Sequence, residues 1–372
     1  MASAAMTTTV LAPVAANERI ELLDILRGLA LLGIFLMNVE FFSASLLDVG
    51  SGIGAGLTGV DWLADTFVYV FVRGKFWTLF SLLFGMGFAV MLARAQAAGR
   101  PFAALYLRRT FGLLLIGLAH AVLVWAGDIL VPYALAAFAL LLFRDTPPSR
   151  CLKWGVVLYG LVVLLMLLGA LGLYAASLDP GATAMTDPEG AERYAAMRAA
   201  ELAAYTSGSF VEATAFRWDF FLFGLSNTAF LVPMVVGMFL LGAWLVRRGA
   251  MADPAAHRRL FARLAGWGTG LGLAFTLLSV RVDPAVAMDA AAPTGPQLLA
   301  TALHTLGSPL MALGYVGLVV LAWQAGARWL RTLAPAGRMA LTHYLLQSVV
   351  GTLLFYGYGL GLWGDMSRAG QT

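Results

Sequence analysis

The chain has 372 residues, of which 60% are hydrophobic and 12% are charged, and its formal net charge is +4. Soluble domains carry about 25% charged residues, so this composition excludes a soluble globular protein and predicts an all-α, polytopic membrane helix bundle. The small net charge gives no indication of nucleic-acid binding. A single cysteine, Cys151, excludes an intramolecular disulfide.

Runs of about 20 mostly apolar residues can cross a bilayer as helices. Nine such spans are predicted in chain order, at residues 22–42, 75–95, 110–127, 128–144, 154–177, 219–246, 263–281, 297–324 and 338–360. Residues 60–73 are too short to cross alone, so we expect them to lie at the membrane interface or to lengthen the second span.

The spans divide the chain into a disordered N-terminal tail (1–18), a first membrane bundle (19–177), an extracytoplasmic loop (178–218) and a second membrane bundle (219–372). The centre of the loop, residues 189–205, is rich in helix formers and ends at a Ser-Gly break, which predicts a short surface helix. Such a helix can serve either as a lid over an outward-facing site or as a plain connector.

Basic residues concentrate in alternate loops, which the positive-inside rule places in the cytoplasm together with the N-terminus. Nearly all of them are arginine, a composition typical of a bacterium with a GC-rich genome, so the expected location is the bacterial inner membrane. The four basic groups are Arg94, Arg100, Arg108 and Arg109; Arg144, Arg150 and Lys153; Arg247, Arg248, Arg258, Arg259 and Arg263; and Arg328, Arg331 and Arg338.

Two histidines lie towards the outer ends of predicted spans, where ionisable side chains are costly and often functional. His120 lies near the outer end of the third span, and Asp128 follows at its end. Eight residues of straight helix separate two side chains by about 12 Å, whereas a break at Gly127 could bring Asp128 back over His120. His304 reaches a similar depth in the eighth span. Each histidine can act as base, nucleophile or proton relay, or can simply bond to a neighbouring helix.

Other polar residues also interrupt the spans. In the first span, Arg27 and Asn38 share one helix face, and Arg27 can pair with Asp24. Arg73 and Lys75 lie on the outer side, against the charge bias. There they can bind an anionic substrate or a lipid head group, or only extend towards water.

The ninth span begins with GRMALTHYLLQS, which places His343 and Gln347 on one helix face. Arg338 lies where it can bind a phosphate at the helix N-terminus or anchor the helix on the cytoplasmic side. The sequence contains no Walker loop, HExxH, GxSxG or paired cysteines. It therefore predicts neither ATP-driven transport nor a metal site.

Four stretches occur in the order found in a known family: LDILRGLALLGIFLMN (23–38), KFWTLFSLLFGMG (75–87), HAVLVWAGDIL (120–130) and GRMALTHYLLQSVVGTLLFYGYGLGLWG (337–364). The chain thus resembles the YeiB family of bacterial membrane proteins over most of its length. His343 stands where that family usually has asparagine, and the chain ends at GDMSRAGQT where the family usually continues into another helix. The opening helix also resembles transmembrane acyltransferases such as heparan-alpha-glucosaminide N-acetyltransferase.

This second resemblance implies a membrane histidine that transfers an acyl group from cytosolic acyl-CoA, in the first instance acetyl-CoA, to an acceptor outside. His120 matches that role, with Asp128 as its orienter and Asn38 or His304 as oxyanion donors. The implied CoA contacts are Arg94, Arg108, Arg109 and Arg338. The implied substrate contacts are Arg73, Lys75, Trp125 and Arg27.

Two other hypotheses stay open at this point. In a proton-coupled transporter or exporter of a small molecule, the same histidines and carboxylates would relay protons. In a non-catalytic membrane partner or sensor, the polar groups would only hold helices together. The expected partners are membrane lipids, a small-molecule acceptor and, as an option, a second copy of the chain.

Overall fold

The computed structural model describes residues 20–47, 52–178, 188–283 and 294–372. Every regular element within these ranges is helical, which confirms the predicted helix bundle. The N-terminal tail predicted for residues 1–18 lies outside the described residues. The end of the bundle that the basic residues predict to face away from the cytoplasm is called the outer end below.

The described chain forms fourteen α-helices, joined in places by short 3-10 or π segments. In chain order the α-helices are α1 Glu21–Ser43, α2 Gly59–Phe67, α3 Lys75–Ala97, α4 Phe102–Leu123, α5 Leu130–Leu140, α6 Pro148–Ser177, α7 Pro188–Thr206, α8 Phe210–Gly224, α9 Thr228–Arg247, α10 Arg258–Arg263, α11 Thr269–Val282, α12 Gly295–Gln324, α13 Ala334–Arg338 and α14 Ala340–Phe355.

Seven helical stretches among the described residues are long and apolar enough to cross a membrane. Two shorter apolar helices, Leu130–Phe143 and Ala340–Phe355, lie where the fourth and ninth spans are predicted. The chain is therefore a multi-pass membrane protein. One of the seven stretches, Gly59–Ala97, joins α2 to α3, so residues 60–73 extend the second span.

Several helix boundaries differ from the prediction. The third span is α4, which begins at Phe102 and ends at Leu123 instead of covering 110–127. Arg108 and Arg109 lie inside α4 with exposed side chains, because long basic side chains can reach the head groups from within a helix. Helix α8 begins at Phe210, inside the predicted loop, and α14 ends at Phe355 rather than at residue 360.

The surface helix predicted within the extracytoplasmic loop is α7, and it lies across the outer ends of α1 and α14. The N–H of Gly357, just after α14, donates to the Tyr205 carbonyl at 2.7 Å. Beyond the end of α1, the N–H of Leu46 donates to the Glu201 carboxylate at 2.8 Å. Helix α7 is thus held on the bundle by hydrogen bonds at both of these helix ends.

The centre of the bundle is formed by α1, α3, α9 and α12, with α6 packed on α9 and α12 and with α11 packed on α12. Small residues allow the central helices to approach closely, as is common between membrane helices. At Gly242 of α9, a Cβ would overlap the Leu82 carbonyl oxygen of α3. The crossing of α3 and α9 therefore depends on glycine.

We expect Gly242→Ala to destabilise the folded protein by about 1–3 kcal/mol, because the added methyl group must push α3 and α9 apart. Gly160→Ala in α6 is the matched control, since nothing lies within 4 Å of the Cβ that it would add. Thermal unfolding in a single detergent compares the two variants. Equal midpoints for both would contradict the close packing of α3 and α9.

Candidate functional site

His120 and Asp128 form a hydrogen-bonded pair at the outer end of α4. The helix ends at Leu123, and the chain then turns back before α5 begins at Leu130. This turn places Asp128 Oδ1 2.8 Å from His120 Nδ1. A straight helix would separate the two side chains by about 12 Å. Asp128 Oδ2 also accepts from the N–H of Val131 at 2.9 Å, which fixes the carboxylate against the first turn of α5.

The pair is buried and oriented. The side chains of His120 and Asp128 are 1% and 2% exposed. An ionised carboxylate only accepts hydrogen bonds, so it favours a proton on Nδ1, and the neutral imidazole then presents a lone pair at Nε2. No protein group among the described residues bonds to Nε2. The imidazole is therefore held in the tautomer that a base or a nucleophile requires.

Aromatic rings surround the pair. The His120 ring centroid lies 5.3 Å from that of Tyr344 and 6.4 Å from that of Trp125. Trp125 in turn packs against Phe42 of α1, with a centroid distance of 4.5 Å. Asn38 is buried one helical turn before Phe42, on the same face of α1. The structure thus joins His120, Asp128 and Trp125, and places Asn38 on the helix face that adjoins them.

A second polar group surrounds a break between α2 and α3. Lys75 begins α3 and is fully buried. Its Nζ donates to the Tyr69 carbonyl and lies 2.9 Å from Nε2 of His304 on α12. The structure therefore engages His304 with Lys75, instead of bringing it to His120 as an oxyanion donor.

The same break borders a cavity of about 240 Å³. Its polar wall includes Arg73, His304 and Ser308, and Ser308 donates to the His304 carbonyl at 2.8 Å. Its apolar wall includes Met37 and Phe41 of α1. Helix α1 therefore lines this cavity with Met37 and Phe41 and packs against Trp125 through Phe42.

An ion-pair network lies on the outer side of the break. Arg73 pairs with Glu40, and Arg368 bonds to Glu40 at 2.7 Å and to Asp65 at 2.9 Å. Arg73 also donates to the Gly52 carbonyl at 2.7 Å. The charges of two arginines and two carboxylates balance inside this network, which ties the C-terminal segment to α1 and α2.

We expect Arg368→Gln to destabilise the protein by about 3–5 kcal/mol, because it leaves two nearly buried carboxylates with one arginine. Arg144→Gln is the control, since the Arg144 and Asp145 side chains of that pair are 50% and 76% exposed and such pairs contribute at most about 1 kcal/mol. Thermal unfolding of both variants at one ionic strength measures the difference. An Arg368 variant as stable as the Arg144 variant would contradict this role.

The remaining predicted residues lie on the half of the bundle opposite the outer end. Arg27 pairs with Asp24 at 3.1 Å, and a Cβ on Gly87 of α3 would lie 3.3 Å from its guanidinium. Arg109 contacts the Met91 sulfur of α3 at 3.7 Å, one turn further along the same helix. The exposed side chains on this half include Arg108, Arg109, Lys153 and Arg338, and the half-buried ones include Arg94 and His343.

Arg217 is a buried residue that the sequence reading missed, because residues 210–218 were assigned to a loop. Its fully buried guanidinium lies on α8 and donates to the Val124 carbonyl, next to Trp125. The available signal was a lone arginine in the aromatic stretch FRWDFFLF on the outer side.

Within the described ranges, no group of three or more His, Cys, Asp or Glu side chains is arranged to hold a metal ion.

Comparison with known proteins identifies the family. The uncharacterised protein YxaH of Bacillus subtilis (strain 168) is 33% identical over 376 residues, which cover 96% of this chain and 87% of YxaH. The uncharacterised protein YeiB of Escherichia coli (strain K12) is 33% identical over 366 residues, covering 92% of this chain and 85% of YeiB. The chain belongs to the YeiB family. This confirms the resemblance read from the four sequence stretches.

Two further comparisons concern parts of this YeiB-family protein. Residues 245–372 match a family model described as a protein of unknown function (DUF418). An uncharacterised 39.9 kDa protein from the amylase 3′ region of Bacillus acidopullulyticus is 39% identical over 146 residues, covering 39% of this chain and 40% of that protein. No solved structure matches the chain.

Proposed function

We propose that this YeiB-family protein is an inner-membrane acyltransferase that passes an acyl group from cytosolic acyl-CoA to a small envelope or secreted molecule. The observation that carries the proposal is the buried His120–Asp128 pair, with its 2.8 Å hydrogen bond and its unpartnered Nε2. A histidine oriented by a carboxylate is the usual means of activating acyl transfer in a protein site.

In the proposed reaction, the Nε2 lone pair attacks the carbonyl carbon of the acetyl-CoA thioester. The carbon–sulfur bond breaks, CoA leaves as a thiolate that takes up a proton, and the acetyl group stays on Nε2. An acceptor amine or hydroxyl then attacks this acetyl-imidazole and loses its proton to solvent, and neutral His120 is restored. Asp128 stabilises the positive charge on the imidazole in both steps, and the buried amide of Asn38, on the face of α1 that adjoins Trp125, is a candidate donor to the oxyanion.

Four arginines on the predicted cytoplasmic half support the donor site. Arg94, Arg108 and Arg109 carry positive charge at the cytoplasmic ends of α3 and α4, and Arg338 ends α13 against α1. Guanidinium groups suit the phosphates of CoA. From Arg109 to His120 is about 16 Å along α4, so only the long pantetheine arm has to enter the bundle.

Calorimetric titration of acetyl-CoA into purified protein in nanodiscs tests this donor site. We expect saturable binding that Arg108→Gln/Arg109→Gln weakens more than about tenfold, whereas Arg258→Gln/Arg259→Gln leaves it unchanged. The second pair is the matched control, since both of its arginines are exposed at another cytoplasmic loop. Absence of binding to folded wild-type protein would overturn the acyltransferase proposal.

Proton-coupled transport is the second candidate function, and the break between α2 and α3 favours it. Broken membrane helices with buried ionisable groups are typical of transporters, and Lys75 and His304 meet at such a break. Proteoliposomes distinguish the two candidates. A transporter dissipates a pH gradient when its solute is present and ignores acetyl-CoA, whereas the acyltransferase binds acetyl-CoA without a gradient.

A further inference from the structure

Arg217 is a fully buried cation for which the described protein offers too few partners. Its Nη1 donates to the Val124 carbonyl at 2.9 Å, and its guanidinium lies over the rings of Phe210 and Tyr358, 5.4 and 5.8 Å from their centroids. Its Nε and Nη2 bond to no group among the described residues. None of the ion pairs between described residues includes Arg217.

An arginine cannot escape this situation by losing its proton, because the guanidinium stays charged in proteins. The buried carboxylate of Glu201 acts on Tyr205 and Tyr356, as the charge of Arg217 does. Glu201 accepts from Ser45 and from the N–H of Leu46, and it forms no ion pair with Arg217. A buried charge outside an ion pair is unfavourable, and most buried donors in folded proteins are hydrogen-bonded. Arg217 therefore has the properties of a residue that binds an anion.

Two more buried donor groups lie near Arg217: Trp125 and the tyrosine pair Tyr205–Tyr356. The Trp125 indole N–H has no hydrogen-bond partner in the described part of the chain. The rings of Tyr205 and Tyr356 stack with centroids 4.0 Å apart, and their hydroxyl groups interact with each other, close enough to Arg217 to be affected by its charge. Each phenol has one O–H, so one hydroxyl of the pair can donate to the other while the second stays available to a ligand.

We propose that Arg217, Trp125, Tyr205 and Tyr356 bind an oxyanion, the carboxylate or phosphate group of a small molecule. One oxyanion offers several lone pairs, so it can accept from the guanidinium and from neighbouring neutral donors together. Trp125 lies beside both Arg217 and His120, so an oxyanion held here places its molecule next to the histidine. The identification of that molecule as the acyl acceptor rests on the proposed function; the oxyanion site itself does not.

A cavity close to this cluster can hold the body of the ligand. The cavity has a volume of about 620 Å³ and lies between α7 and α8 at the outer end. Ala204 and Phe216 line it and also pack in the cluster that contains Trp125, Tyr205 and Tyr356. None of the four proposed ligand-binding residues lines the cavity, so the proposal requires Phe216 to move for the anionic group to reach them.

Thermal unfolding with simple anions tests the site without acetyl-CoA. Protein in phosphatidylcholine nanodiscs is titrated with sodium acetate or inorganic phosphate, against sodium chloride at equal ionic strength. We expect acetate or phosphate to raise the wild-type midpoint by about 5 °C at about 100 times its dissociation constant, and to keep raising it with the logarithm of its concentration. Nanodiscs of phosphatidylglycerol without added anion form a separate arm, in which stabilisation identifies a lipid phosphate as the source of the oxyanion.

Arg217→Met should abolish the stabilisation in every arm, and without anion it should unfold no lower than the wild type, because it removes an unpaired charge. Trp125→Phe removes a donor that bonds to no described group, and Tyr356→Phe removes a hydroxyl that interacts only with Tyr205, so both should fold normally and weaken binding several-fold. Tyr106→Phe is the matched control, since it removes a buried hydroxyl that interacts only with Thr110, in a different cluster.

Two results would overturn the proposal: no anion or lipid stabilises the wild type, or the stabilisation persists in the Trp125, Tyr356 and Arg217 variants. A loss of stability in Arg217→Met with unchanged anion binding would assign Arg217 to packing alone. Acetyl-CoA is absent from all of these measurements, so they test the oxyanion site independently of the acyltransferase proposal. A negative acetyl-CoA titration would not affect the evidence for the oxyanion site. A negative anion titration would not affect the evidence for acetyl-CoA binding.

Discussion

Replacing His120 with alanine is expected to lower the rate of CoA release from acetyl-CoA by about 10²–10⁴-fold, with little change in acetyl-CoA affinity. In the proposed reaction the imidazole supplies the nucleophilic nitrogen, while the arginines proposed to hold CoA lie on the other half of the bundle. Asp128→Asn should lower the rate by a factor of about 10² or more, because an amide can donate to Nδ1 and favour the tautomer with its proton on Nε2. Thiol detection of free CoA measures both variants.

His257→Ala is the control for these variants. His257 lies next to α10, where its Nδ1 is 3.0 Å from the Asp253 carbonyl oxygen, far along the chain from the proposed site. Its replacement should leave CoA release unchanged. Equal rates in the wild type, His120→Ala and Asp128→Asn, all folded, would show that the pair only joins α4 to α5.

Replacing Gly74 with alanine is expected to destabilise the protein by about 2–4 kcal/mol, the sum of two costs. Gly74 has φ of +79°, in the left-handed region that alanine rarely adopts. An added Cβ would also overlap the Ser308 hydroxyl and lie 2.8 Å from Cε1 of His304. The substitution therefore strains the break between α2 and α3 and pushes α12 away from it.

Two further variants separate the strain from the overlap. Gly326→Ala tests strain alone, since Gly326 has φ of +89° and nothing within 4 Å of a Cβ. Gly74→Ala/Ser308→Ala removes the overlapping hydroxyl and should recover part of the lost stability. If thermal unfolding of Gly74→Ala matches that of Gly326→Ala, the close approach of α12 to the break contributes nothing.

The helices could be predicted because each span is a continuous apolar run, and the predicted surface helix coincides with α7. Helix boundaries near charged residues could not be predicted, because Arg108 and Arg109 lie inside α4 at a place where their charge suggested a loop. Arg217 was missed for the same reason: the sequence shows a charge near an aromatic run but does not show that α7, α8 and the segment after α14 enclose it.

Contacts between residues far apart in the chain could not be predicted from the sequence for a different reason. Lys75 and His304 meet across 229 positions, so only the packing of α3 on α12 brings them together. The His120–Asp128 contact depends on where α4 stops. A straight helix and a broken helix were both compatible with residues 118–130, and the end of α4 at Leu123 decides between them.

Transfer of the acetyl group to His120 can be measured by incubating purified wild-type protein and His120→Ala with acetyl-CoA labelled in its acetyl group, followed by rapid denaturation at neutral pH. We expect the wild type to retain label, located by peptide mass spectrometry at His120, and the variant to retain none. Equal retention in both proteins, or CoA release at equal rates without label on either, would contradict it.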